Sequence, residues 1–302
     1  MIVNCHGHYL PRAATEGLPF YSEKWSNLEL QLEGMAEAGI DRQVLTYPLS
    51  DPDFRLPLPE IAQLTNDQIG AAMRQYPNKF IGTAAIVPFC GMDAVHELER
   101  AVGDLGLRGV SLATSYDGLY LDAEDLWPIY AKAQQLDVPI FVHPAVMRPL
   151  GYEKLQDYYL LHVLGYVFDT TLCIARLIYS GTLERFPGLR FVFSHLGGAL
   201  PFVAARLDLA YQIFFTRDPN RKVNKVASEY FSQIYLDTTT TDPAAIRFAI
   251  EIVGADHLLL GTDYPATPAP QPFIEAVQNL ALPEEDKAKV LSGNAAKLLG
   301  EE

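Results

Sequence analysis

The sequence predicts an α/β fold, a closed (β/α)8 TIM barrel, on three observations. Short β-branched or apolar runs recur along the chain, amphipathic stretches long enough for helices separate them, and 302 residues suffice for eight such units. Open doubly wound sheets usually need fewer strands, whereas eight parallel strands with interleaved helices close a barrel of roughly 250 residues. The excess length is assigned to a short insertion after the first strand, a long passage after the fifth, and extra C-terminal helices. With no internal repeat, low-complexity tract or linker, residues 1–302 are expected to form a single domain.

The elements follow in order. Strand one is Ile2–His6, followed by the insertion Tyr9–Ser26 and a helix over Leu28–Ala38. Strand two is Gln43–Tyr47 with a helix over Ile61–Tyr76, and strand three Phe80–Val87 with a helix over Ala94–Leu105. Gly109–Ala113 forms strand four, and Asp122 before Glu124 and Asp125 opens a helix that runs to Leu136. Strand five, Pro139–His143, leads into the long passage Pro144–Asp169 and a helix over Thr171–Arg185. Strand six is Arg190–His195, with Arg206 on the helix after it. Strand seven, Ile234–Asp237, precedes a helix over Pro243–Val253, where Asp242 offers an N-cap and Pro243 a first-turn proline. Strand eight is Leu258–Asp263, and a pair of helices ends the chain.

The totals narrow the function classes. A hydrophobic content of 49% with 20% charged residues is that of a soluble globular protein. A formal net charge of −14 argues against nucleic acid and anionic membrane as partners. No apolar run approaches a bilayer span, and the N-terminus lacks a basic region followed by an apolar segment. The three scattered cysteines, Cys5, Cys90 and Cys173, suit a reducing compartment, so a cytoplasmic location is expected.

The ionisable residues carry the functional signal. On a strand, alternate side chains share a face, so His6 and His8 point the same way with Gly7 between them. His143 closes strand five in VPIFVHP, His195 closes strand six in LRFVFSHLGG, and Asp263 closes strand eight in HLLLGTDYP. In a parallel barrel these C-terminal ends lie on one face, where active sites sit. Four of the seven histidines and a carboxylate therefore converge on one rim, a donor set suited to zinc and similar ions. The other histidines read differently. His96 lies in a helical run, His162 in the passage after strand five could line the pocket but is read first as packing, and His257 precedes strand eight at the barrel's other end. Cys5 alternates away from His6 and is expected to face the surrounding helices as a buried thiol.

The His-Gly-His pair, the stretch LIYSGTLERFPGLRFVFSHLGGALPFVAARLD, the GTDYP turn and the terminal VLSGNAAKLLG together resemble the amidohydrolase superfamily. Within it they resemble the amidohydrolase 2 group, the branch around aminocarboxymuconate semialdehyde decarboxylase. The resemblance implies a mononuclear centre with His6, His8, His143 and Asp263 as ligands and His195 beside the metal-bound water. Binuclear relatives carry a carboxylated lysine at the end of strand four, where this chain has Val-Ser-Leu-Ala-Thr. Asn4 is a departure, since many relatives have aspartate before the first histidine. The resemblance also implies that Arg206 holds a substrate carboxylate across a dimer interface, against the alternative of a surface ion pair with Asp208. Arg148, in the loop after strand five, is a second candidate clamp for such a carboxylate.

Asp237 ends strand seven, but the threonine run after it suggests turn and capping work. Gly197-Gly198 is read as allowing close approach of backbone to the metal pocket. A divalent ion held by three histidines and one aspartate, zinc first and manganese second, can activate water and polarise a substrate oxygen. His195 and Asp263 are then the catalytic candidates, as proton carriers. Two reactions use such parts: decarboxylation of a small unsaturated or aromatic acid, favoured by the resemblance, and hydrolysis of a lactone, ester or amide. A small acidic substrate and a homodimer complete the expectation.

Overall fold

A computed structural model describes residues 1–300 apart from 19, 51–53 and 147. Eight parallel strands form its wall: β1 (Val3–His8), β2 (Arg42–Thr46), β3 (Phe80–Gly82, continued as Ala84–Ala85), β4 (Val110–Ala113), β5 (Ile140–His143), β6 (Phe191–Phe193), β7 (Ile234–Asp237) and β8 (Leu258–Leu259). One ladder runs β1–β2–β3, and the other runs from the second part of β3 through β4 to β8 in order.

Backbone hydrogen bonds join the two ladders on both sides. At the break in β3, Thr83 donates to the Leu45 carbonyl at 3.1 Å while Ala84 donates to Gly109 at 2.7 Å. At the seam, Cys5 donates to Leu260 and His8 to Tyr264, both at 2.7 Å. The wall is thus a closed barrel. Strand eight is shorter than the expected Leu258–Asp263, because beyond Leu259 the backbone satisfies separate partners. Leu260, for instance, donates to Val290 of the C-terminal segment.

The helices cover the wall as the amphipathic pattern requires. Leu28–Ala38 and Pro243–Val253 fall where the sequence puts them, because their ends carry local signals. Asn27 caps the first by accepting from the Glu29 and Leu30 amides, and Asp242 caps the second by accepting from Ala244 at 2.9 Å. The helix expected over Thr171–Arg185 begins earlier instead. A π-turn at Leu161–Gly165 runs into Tyr166–Tyr179, and Thr182–Arg185 is a separate turn after Gly181. Contrary to the sequence expectation, the continuous segment Leu161–Tyr179 is long and apolar enough by length and composition to cross a bilayer. In the fold it lies against the barrel through Cys173, Ile174, Leu177 and Ile178, which are buried among strand and helix side chains.

Two apolar layers result. Leu45, Val110, Ile140, Phe191, Phe193 and Leu236 pack outward against the helices. Val44, Ile81, Phe141, Val192 and Leu259 form the axial layer, with Leu298 and Leu299 of the helix Asn294–Leu299 packed onto it. Each such side chain contributes about 1.5–3 kcal/mol by leaving water. Cys5 belongs to this axial layer and not, as expected, to the helix-facing one. The cause is a slip in pairing: Asn4 faces Gln43 but Gly7 faces Leu45, three residues against two. Such a bulge resets the alternation of side chains along β1.

Candidate metal centre

The bulge also explains the His-Gly-His signature. It brings the His6 and His8 Nε2 atoms to 3.1 Å from one another at the C-terminal mouth of the barrel. Gly7 faces away, where a Cβ would stand 2.5 Å from Gln43 Cδ. Gln43 is held at both ends, since Asn4 Nδ2 donates to it at 3.0 Å and it donates to Gln31 Oε1 at 2.8 Å. Gln31 in turn donates to the His8 carbonyl at 2.8 Å. Asn4 also accepts the His6 amide at 3.1 Å. An aspartate at position 4 would accept that amide but could not donate to Gln43, so asparagine is matched to this amide ladder.

His143 at the end of β5 and Asp263 beyond β8 complete the cluster. One ligand atom from each of His6, His8, His143 and Asp263 lies within 4.8 Å of all the others. Asp263 Oδ1 is 2.8 Å from His8 Nε2, 3.2 Å from His6 Nε2 and 3.9 Å from His143 Nε2. The outer ring nitrogens all meet acceptors. His6 Nδ1 bonds Asp237 Oδ2 at 2.6 Å, His8 Nδ1 the Thr46 carbonyl at 3.0 Å, and His143 Nδ1 the Pro144 carbonyl at 3.0 Å. Each acceptor fixes a proton on Nδ1 and turns the Nε2 lone pair toward the centre, as metal-binding imidazoles require. Three imidazole lone pairs and a carboxylate converging at this range repel one another unless a cation lies between them. The donor set fits a divalent ion.

The protonation balance of the protein alone agrees. Burial disfavours charge on His6, but the Asp237 and Asp263 carboxylates prevail and push its pKa up to about 10. Burial holds His8 below the ordinary imidazole value, and burial together with the neighbouring imidazoles holds His143 well below it. Burial opposes ionisation of Asp263, yet His6 and the other imidazoles keep it well below the usual carboxylate range. One positive charge on His6 thus occupies the space a metal cation would neutralise.

His195 stands just outside the four. It opens a turn with positive φ at His195 (54°) and Leu196 (55°), and its amide donates to Asp237 Oδ1 at 2.8 Å. Its Nε2 lies 3.5 Å from Asp263 Oδ2, the carboxylate oxygen turned away from His6 and His8. The turn closes at Gly198, where a Cβ would meet the Val167 carbonyl at 2.1 Å. The close approach at this glycine is to the Tyr166–Tyr179 helix and not, as expected, to the metal pocket.

Asp237 does more than the capping the sequence suggests. It accepts from Thr239 at 3.0 Å, as a turn residue would, and also holds the His6 ring and the His195 backbone. Its place at the C-terminal end of a strand was the available signal. Asp169, fully buried, is a second residue missed. It accepts from the Thr114 and Tyr120 hydroxyls and the Leu150 amide, fixing the loop that carries Val146 into the cavity wall.

A cavity of about 340 Å³ opens onto the cluster, with His8, His143, His195 and Asp263 at one end. Phe20, Trp25, Tyr47 and Tyr166 line its sides, and the Trp25 ring stacks on His8 at 5.3 Å with planes 8° apart. Phe20, in the segment after β1, reaches this wall, while Tyr158, Tyr159 and Phe168, after β5, are exposed and do not line it. His162 borders the cavity, the second of its two readings, while its ring also packs edge-on against Tyr166. His257 accords with its reading, meeting the Ile234 carbonyl at the start of β7.

Neither arginine reaches the cavity within one chain. Arg148 is exposed and pairs with Asp117 at 3.2 Å. Arg206 is exposed on the helix Leu200–Ile213, and Asp208, its expected surface partner, accepts from Ser228 instead.

A parallel barrel with three imidazoles and a carboxylate at its C-terminal mouth defines the class: a metal-dependent barrel hydrolase or lyase of the amidohydrolase type. The amidohydrolase family model matches residues 3–300, and the chain belongs to that family. It is 29% identical to a 2-amino-3-carboxymuconate-6-semialdehyde decarboxylase of Dictyostelium discoideum, over 93% of this chain and 79% of that one. It is 26% identical to a 6-methylsalicylic acid decarboxylase of Penicillium expansum, over 98% and 95%. Among solved structures, a dihydroxybenzoic acid decarboxylase from Polaromonas sp. JS666, with bound manganese and 2-nitroresorcinol, superposes with a TM-score of 0.87 at 24% identity, covering 99% of this chain and 96% of that one.

Proposed function

We infer that the chain is a metal-dependent non-oxidative decarboxylase of a small aromatic or unsaturated carboxylic acid. The cavity is the observation that carries this reading. Its sides are aromatic and suit a flat ring, while its inner end gathers the ligand cluster and a histidine outside it. The reaction replaces the carboxylate on a ring or alkene carbon by a proton. The carbon–carbon bond electrons stay on the carbon, and carbon dioxide leaves.

A divalent ion held by His6, His8, His143 and Asp263 would attract the substrate's carboxylate and neighbouring oxygen and polarise them. The chain supplies the rest. His195 Nε2 and Asp263 Oδ2, 3.5 Å apart, hold the proton delivered to the carbon. Asp237 keeps His195 in place through its backbone amide, and Trp25 and Tyr47 keep the ring side of the cavity apolar.

The ion proposed is manganese, with zinc second, because the Polaromonas structure holds manganese and the donor set accepts either. A homodimer is proposed as well. Phe202, Leu209 and Ile213 form an exposed apolar stripe on the helix Leu200–Ile213, Phe214 extends it, and Arg206 lies in the same stripe. An apolar patch of this kind on a soluble protein marks an interaction surface, and pairing there would carry Arg206 toward a second chain.

The experiment is a panel of hydroxylated aromatic and unsaturated acids, with matched lactones and esters, given to manganese- and zinc-loaded protein. Release of carbon dioxide from an acid supports the reading. Turnover confined to lactones or esters overturns it in favour of hydrolysis.

A further inference from the structure

The inner end of the cavity holds the groups that bind metal and move protons. The remaining wall holds the information about which acid fits. It is built from Phe20, Trp25, Tyr47 and Val146 together with Leu161, His162 and Tyr166. None of the described residues lining the cavity is a lysine or arginine, and His162 is the one imidazole there outside the cluster around Asp263. An acidic ligand therefore meets one further group able to carry positive charge.

The backbone at this place is unusual. Leu161–Gly165 is a π-turn leading into the helix Tyr166–Tyr179. A turn widened by one residue is rare and often found at functional sites. Here it sets positions 161, 162 and 166 along one side, where all three border the cavity. The His162 ring stands edge-on to Tyr166, with centroids 5.1 Å apart and planes at 65°. That contact orients the imidazole without using its nitrogens, and His162 is exposed at the rim of the cavity. His162 and Tyr166 also border an adjoining cavity with Thr239 and Thr240, so both lie at the junction of two spaces that open onto His195.

The geometry points to His162 as a specificity-determining residue. Its imidazole receives a carboxylate or hydroxyl borne by the substrate ring away from the metal centre, so the chain favours acids carrying such a second polar group. This rests on the decarboxylase reading and goes beyond it by naming the substrate class.

The test uses 2-nitrophenol and 4-hydroxy-3-nitrobenzoate. In both, a nitro group beside a phenolic hydroxyl stands in for the departing carboxylate, and the two differ only in the carboxylate on the far side of the ring. Each is titrated into manganese-loaded wild type, His162→Phe and His162→Gln. His162→Phe keeps a ring against Tyr166 and removes the donor, whereas His162→Gln keeps an N–H.

A charge-assisted hydrogen bond at a cavity wall accounts for roughly a tenfold preference. His162→Phe should weaken 4-hydroxy-3-nitrobenzoate by about that factor, leave 2-nitrophenol within about twofold, and retain full metal content. His162→Gln should keep part of the preference. Equal losses on both probes, or an unchanged ratio in His162→Phe, overturns the role of His162 while leaving the decarboxylase reading intact. Wild type that binds neither probe overturns both.

Discussion

Asp237→Asn is the perturbation that most directly tests how the metal centre is built. Asparagine has nearly the shape of aspartate and can still accept from the His195 and Thr239 amides, now at 2.8 and 3.0 Å. It differs at the other oxygen, where Asp237 Oδ2 accepts from His6 Nδ1 at 2.6 Å. An amide NH₂ there presents a donor to Nδ1, so His6 must either give up that bond or move its proton to Nε2. The second choice removes the lone pair that faces Asp263, 3.2 Å away. Losing a hydrogen bond to a charged acceptor costs about 1.5–3 kcal/mol, or roughly a tenfold to hundredfold loss in metal affinity. The assay is competition for manganese against a chelator of known affinity, with the melting temperature of metal-free protein measured in parallel. The expected result is a weaker affinity of that size with folding retained. An affinity within twofold of wild type, with an unchanged melting curve, would refute the reasoning and return Asp237 to a capping role.

Other outcomes follow from the same geometry. Since His6 in the metal-free chain titrates at about 10, it is protonated at neutral pH, and metal binding should release about one proton. Calorimetry in buffers of different ionisation enthalpy reads that release, and apparent metal affinity should rise by up to about tenfold per pH unit below that value. The folded pKa is raised, so the His6 charge stabilises the metal-free chain fully below the unfolded value of about 6.5. That contribution is lost as pH rises through about 10, which pH-dependent urea denaturation would register. His195→Ala should keep the metal, since the residue stands outside the four ligands, and lose roughly 10²–10⁴ in rate; metal loss in parallel would promote it to a ligand. Gly7→Ala should cost about 1–3 kcal/mol of stability by forcing Gln43 out of its ladder, and a neutral result would show that the ladder can yield.

The sequence by itself determined the barrel and its rim. Strand and helix periods are local, and so are the caps at Asn27 and Asp242, which is why Leu28–Ala38 and Pro243–Val253 fall where they were read. Closure of eight parallel strands then places every strand's C-terminal end on one face, so His6, His8, His143, His195 and Asp263 could be grouped before any distance was known. Tertiary structure decided what depends on register and on partners far along the chain. The bulge in β1 sends Cys5 inward because pairing with β2, not alternation alone, sets which way a side chain points. Asp237 became a support for two histidines only when closure of the barrel gathered the C-terminal ends of β1, β6 and β7 at one mouth, an interaction spanning 231 residues to His6. Arg148 and Arg206 show the converse limit. A long charged side chain follows whatever partner the fold offers, and for Arg148 that is Asp117 at the surface. For His162 the sequence left packing and pocket lining both open, and the π-turn set it at the cavity's rim, because one extra residue in a helical turn changes which side chains share a face without changing composition.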